Sequence, residues 1–150
     1  MKAGIAGLFH LATVRTKAAR AAMQLAMNAL THAQQATQTA EAERQNLIEN
    51  AENTRKSAVD RALSRPASLS QIAQITLSHR IAREDIEAAE ARIETLKAEE
   101  TEAFTTLKMK QSALAHCLRN EEKLGELVRT QTNLDRQMSD LVEEFEAERA

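Results

Sequence analysis

Four histidines, one cysteine and 22 carboxylates are the side chains in this chain with the chemistry for catalysis or metal binding. Their spacing argues against both. His10, His32, His79 and His116 do not recur at the three- or four-residue steps that set two side chains on one helix face. His116 and Cys117 are neighbours, so on a helix they point in different directions. His79 and Cys117 both read as core positions. Glycine occurs only at Gly4, Gly7 and Gly125, which leaves no phosphate-cradling loop and no nucleophile elbow. The carboxylates are dispersed as on a solvated helix face. The expectation is a chain that is not an enzyme, with no catalytic, cofactor-binding or metal-binding residue, whose work is done by surfaces.

Those surfaces must be helical. Pro66 is the one proline in 150 residues. It sits in Ser64-Arg65-Pro66-Ala67-Ser68-Leu69-Ser70-Gln71, with a long stretch lacking strong helix breakers on either side. Aromatic residues make up only 2% of the chain, and there is no Trp or Tyr. The apolar content is mostly Ala and Leu, suited to a thin seam between helices rather than a thick core. The reading is all-α: two long helices forming an antiparallel coiled-coil hairpin, with a C-terminal single-helix overhang. Helix 1 is expected over about 8–63, the turn at 64–68 and helix 2 over about 69–148. Arg65, before proline, is pushed out of the α region. Ser68 followed by Gln71 has the spacing of a capping box. A connection this short makes its helices antiparallel neighbours.

The two helices carry different apolar periods. In helix 1, Ala18, Ala29, Ala40, Ala51 and Ala62, with Leu25, Ala36, Leu47 and Ala58, suggest a repeat of eleven and a nearly straight seam. Met23, Met27 and Leu30 fall off that stripe. Helix 2 shows a heptad through Ile72, Ile75, His79, Ala82, Ile86, Ala89, Ile93, Leu96, Glu100, Ala103, Leu107, Lys110, Leu114, Cys117, Glu121, Leu124 and Val128, the left-handed coiled-coil period. Large residues of helix 2 then face small ones of helix 1. Glu100, Lys110 and Glu121 imply a partly wet middle.

Next to Gly125 the phase is expected to shift by four, to a stripe of Leu127, Leu134, Met138, Leu141 and Phe145, with Val142 beside it. Folding about Pro66 brings residue i of helix 1 opposite residue ~133 − i of helix 2. The last ~25 residues, ~37 Å of helix, then have no partner within the chain. An apolar stripe kept on an unpartnered helix marks a partner site, or a site of self-association.

Charge is graded along the chain. Residues 1–40 carry Lys2, Arg15, Lys17 and Arg20 and no acid, whereas residues 81–150 carry a net −7 within a total of −2. Glu143, Glu144, Glu146 and Glu148 crowd a helix C-terminus, where the dipole favours cations, so the free tail is expected to fray. The basic start is too sparse for nucleic acid. No apolar run approaches the ~18–20 residues needed to span a bilayer. Gly4 to Val14 is broken by His10 and lacks a clear cleavage site, so it does not read as a secretory signal. A lone cysteine fits a reducing, cytoplasmic setting.

The basic start Val14-Arg15-Thr16-Lys17-Ala18-Ala19-Arg20, the short turn, and Leu124-Gly125-Glu126-Leu127 leading to Leu141-Val142-Glu143-Glu144-Phe145 form a pattern. It resembles the stalk proteins of bacterial type III secretion and flagellar export, the FliJ/YscO/SctO family. The resemblance covers the chain in length and architecture, and is specific at its end. It implies a non-enzymatic stalk, similar to the coiled-coil part of a rotary ATPase γ subunit. Such a stalk inserts into the hexameric type III secretion ATPase, contacts the export-gate protein and binds export chaperones at the inner-membrane base of the apparatus. It also implies that the ring-contacting residues are Leu127, Leu134, Met138, Leu141 and Phe145, with Arg15, Lys17 and Arg20. Two other readings stand beside it: a structural coiled coil associating with itself through the stripe, and an amphipathic membrane-surface element built on residues 1–30.

Overall fold

The computed structural model describes residues 2–66 and 68–150, with side chains from residue 4 onward. It contains two helices, α1 (Lys2–Ser64) and α2 (Leu69–Arg149), packed as an antiparallel helical hairpin. No strand occurs among the described residues. α1 closes with the Arg65 amide donating to the Arg61 carbonyl at 3.1 Å. α2 opens on the expected capping box. The Gln71 amide donates to Ser68 Oγ and the Ser68 amide donates to Gln71 Oε1, each at 3.2 Å. Two donors that no helical carbonyl can reach are thereby satisfied.

Contacts divide the chain into two compact units, Met1–Met27 with Thr106–Ala150, and Asn28–Thr105. In the second unit Arg44 Nε lies 3.7 Å from Glu90 Oε1 and Lys97 Nζ lies 3.6 Å from Glu41 Oε1. Moving down α1 thus moves up α2, and Arg44 falls one residue from its expected partner level. The covered Arg44 Nε has no hydrogen-bond partner; at 3.7 Å its link to Glu90 is an ion pair only. In the first unit Phe9 packs on Gly125, again one residue from the expected register.

The α2 seam follows the expected heptad from Ala82 to Val128, apart from Lys110, which is exposed. The α1 seam does not follow the expected repeat of eleven. Its covered positions are Ile5, Phe9, Ala12, Thr16, Ala19, Met23, Ala26, Leu30, Ala33, Thr37, Ala40, Arg44, Leu47 and Ala51, with Ala58 one heptad on and Ala22 and Ile48 each beside a seam position. From Ile5 to Ala51 the seam positions alternate in steps of four and three, which is a heptad. Ala18, Ala29, Ala36 and Ala62 are exposed, as is Leu25 at 70%. Met23 and Leu30 lie on the seam rather than off it. Both helices therefore share the 3.5-residue period, and neither has to compromise its supercoil. Alanine misled the reading because in an alanine-rich helix it lies on every face.

Size complementarity across the seam is as expected. Ala40 lies level with Ile93 in one unit and Ala26 with Leu107 in the other, and all four are buried. Thr16 and Thr37 are buried too, their hydroxyls donating at 3.0 Å to the carbonyls of Ala12 and Ala33. That local bond removes the cost of burying an unpaired hydroxyl.

α1 begins at Lys2 rather than near Leu8. Gly4 and Gly7 do not stop it, because a glycine within a helix costs only about 1 kcal/mol and Ile5 and Phe9 are covered on the seam. α1 consequently covers more of α2 than the sequence suggested. Seam burial continues through Gln131 to Asp135, and residues 136–150 are all exposed. The overhang is shorter than the ~25 residues expected from helix lengths.

Gly125 has a packing role. A Cβ there would lie 3.2 Å from Phe9 Cε2, so only the ring edge would have to yield to an alanine. Gly125→Leu should displace the ring and cost ~1–3 kcal/mol of stability by urea unfolding. In a Phe9→Ala background most of that cost should vanish; a cost that persists undiminished would show that the ring is not what the leucine meets.

Candidate partner-binding surfaces

No helix among the described residues is long and apolar enough to cross a membrane, and no group of three or more His, Cys, Asp or Glu among them is placed to hold a metal ion. Cys117 is half-buried on the seam. His79 is exposed, against the expectation of a core position. The His116 ring faces Asn120 at 3.3 Å, one helical turn along the same face. The grooves between the helices are open and shallow. One is lined by residues that include Leu30, Thr37, Lys97, Glu100 and Phe104.

The unusual surface is the α2 tail. Leu127, Leu134, Met138, Leu141, Val142 and Phe145 are all exposed, Leu134 at 55% and Phe145 at 60%. They lie on one unbroken helix that continues to Arg149. Arg149 rests over the Phe145 ring, 5.3 Å from its centroid, a contact worth ~0.5–1 kcal/mol at an exposed site.

Burial shows no phase shift next to Gly125. The covered positions run Leu124, Val128, Gln131 and Asp135 in unchanged alternation. Extended by the same steps, the seam phase passes through Met138, Val142 and Phe145. Leu127, Leu134 and Leu141 form a second lane, each one residue ahead of a seam position. The stripe is therefore a widened heptad rather than a stutter. Two adjacent apolar lanes are what a helix shows when it packs between two neighbours, whereas a two-stranded seam needs one.

Arg15, Lys17 and Arg20 are exposed on α1. Arg20 lines a groove with Phe9, Leu118, Glu121 and Val128. By the Phe9–Gly125 register the trio lies level with residues near 114–119 of α2, so the structure does not bring it together with the tail stripe. The N-terminal segment spends Ile5, Phe9 and Met23 on the seam, which leaves Leu8, Leu11, Val14, Leu25 and Met27 as its exposed large apolar residues.

One surface escaped sequence reasoning. Around the turn, Val59 and Leu63 of α1 and Leu69, Ile72, Ile75, Leu77 and Ile81 of α2 are all exposed, although Ile72 and Ile75 had been expected on the seam. Heptad steps onward from Ala51 bring Thr54, Ala58 and Arg61 of α1 to this end. Ala58 is half-covered, but in the register that pairs Ala40 with Ile93, Ile72 and His79 fall level with Arg61 and Thr54, which offer no apolar partner. The signal was present in α1, opposite the residues that looked buried.

No family model, curated protein or solved structure matches the chain.

Proposed function

We propose that this chain is a non-enzymatic stalk of a bacterial type III export ATPase. In this reading its C-terminal tail docks in the ATPase ring, and the rest of the hairpin meets the export-gate protein and export chaperones at the cytoplasmic base of the apparatus. The observation that carries the reading is the tail. From Met138 to Phe145 it keeps large apolar side chains exposed along a continuous helix. The resemblance of the terminal motifs supplies the identity of the partner.

The mechanism follows from symmetry. A single helix cannot present the same face to several subunits of a ring at once. It binds some subunit conformations better than others, and that differential affinity shifts their populations. Arg15, Lys17 and Arg20, exposed away from the tail, form a second contact with acidic groups of the ring or gate. The test is ATP hydrolysis by the export ATPase with added stalk. The full chain should raise the rate, and a chain ending at residue 133 should not. Equal stimulation by both would overturn the assignment of the tail.

A further inference from the structure

The two ends of α2 expose apolar surfaces of opposite charge. Between Asp60 and Glu84 the chain has no acidic residue, while Arg61, Arg65, Arg80 and Arg83 lie there, with Arg55 and Lys56 just before. Arg80 and Arg83 have nearby carboxylates one turn along, Glu84 at 3.4 Å and Glu87 at 3.5 Å. Arg61 and Arg65 are exposed among the bare Leu63, Leu69 and Ile72. At the other end Asp135, Asp140, Glu143, Glu144, Glu146 and Glu148 surround Met138, Leu141, Val142 and Phe145, with Arg136 and Arg149 as the bases.

We infer that the tail of one chain docks on the turn end of a second copy of this chain, laying its two apolar lanes between the ends of α1 and α2. Three observations select this occupant. The surfaces are opposite in charge, so tail on tail would set acid against acid, and turn on turn base against base. The two-lane stripe suits a helix entering a groove between two others, and the turn end presents apolar side chains from both its helices. The Arg44–Glu90 register sets Val59 level with Ile75, so exposed apolar residues of α1 and α2 lie at the same height. The junction is heterologous: different patches of each copy meet. Binding it would occlude the same tail that the stalk reading gives to the ATPase, but the inference does not rest on that reading.

A mixing experiment tests it. Ile72→Asp with Ile75→Asp spoils the turn surface; both sites are exposed, and Ile72 lies in the first turn of α2, where an acid suits the helix dipole. Leu134→Asp with Leu141→Asp spoils the tail. Circular dichroism confirms that each variant keeps its helicity. By sedimentation at about 50 µM, within reach of a micromolar contact, the unaltered chain should be larger than a monomer. About 0.5 M salt should weaken the association roughly tenfold by screening the charges. Each variant alone should be monomeric, while an equimolar mixture should form a 1:1 pair through the one intact tail and the one intact turn. A monomeric unaltered chain, a turn variant that still self-associates, or a mixture that stays monomeric would each overturn the inference.

A second readout leaves the surfaces nearly intact. In a Cys117→Ser background, chains carrying Leu141→Cys and chains carrying Ile72→Cys, mixed under a mild oxidant, should form the mixed disulfide dimer in preference to either homodimer. A homodimer in excess would count against the docking. The turn variant also separates the two proposals, since it should lose self-association and still stimulate the ATPase.

Discussion

Leu134→Asp combined with Leu141→Asp should abolish stimulation of the export ATPase while leaving the helical content of the chain nearly unchanged. Both leucines are exposed, so their replacement empties no buried site in the folded chain. The local cost is confined to helix propensity and to two more acids near a C-terminus already rich in them, a few tenths of a kcal/mol per site. The cost at an interface is far larger. A leucine that is bare in the free chain and fully buried on docking contributes ~1.5–3 kcal/mol, and a carboxylate driven into the same contact is penalised further. Two such changes weaken binding by several orders of magnitude. Stimulation that survives in a well-folded double variant would remove the tail from the mechanism.

Ile93→Ala should lower the free energy of unfolding by ~2–4 kcal/mol, whereas Ile72→Ala, at an identical heptad position three repeats earlier, should change it by no more than ~0.5 kcal/mol. The difference comes from the partner, not from the isoleucine. Ile93 is 4% exposed and level with Ala40, which lets the α1 backbone come close; Ile72 is 50% exposed and level with Arg61. Urea unfolding followed by circular dichroism reads both values. Equal costs at the two sites would mean that the turn end is as closely packed as the middle.

The legibility of this chain from its sequence follows the same logic. The turn was legible in detail, because proline and a capping box act through their own few residues. The α2 heptad was legible from Ala82 to Val128, since Ile and Leu recur there against a polar background. The α1 period was not, because alanine pairs with any neighbour and marks no face; Phe9, Met23 and Leu30, the larger residues, carried the true phase. The exposure of Ile72 and His79 was hidden for a different reason: burial belongs to a pair, and the deciding residues, Arg61 and Thr54, were on the other helix. The tail stripe was recognised as exposed, while its phase was misjudged. Gln131 and Asp135 interrupt the apolar seam, so the leucines of the flanking lane looked like a new register. Arg15, Lys17 and Arg20 are exposed as a solvated face would be, and no geometry among the described residues joins them to the tail.

The seam of alanine and threonine also sets how the protein melts. Its buried apolar residues are Ala12, Ala26, Ala40, Ile93 and Leu107, and none of the three alanines hides much hydrocarbon. Unfolding therefore exposes little new apolar surface, so the heat-capacity increment falls below the ~12–15 cal/mol/K per residue of ordinary domains, and the stability curve is correspondingly flat with temperature. Each layer of the seam is supported by the layers next to it, the arrangement in which order is lost from the ends inward rather than all at once. The surfaces assigned here to partners, the tail and the turn, are those ends, so whatever docks on them also tightens the chain at the places where it would first come apart.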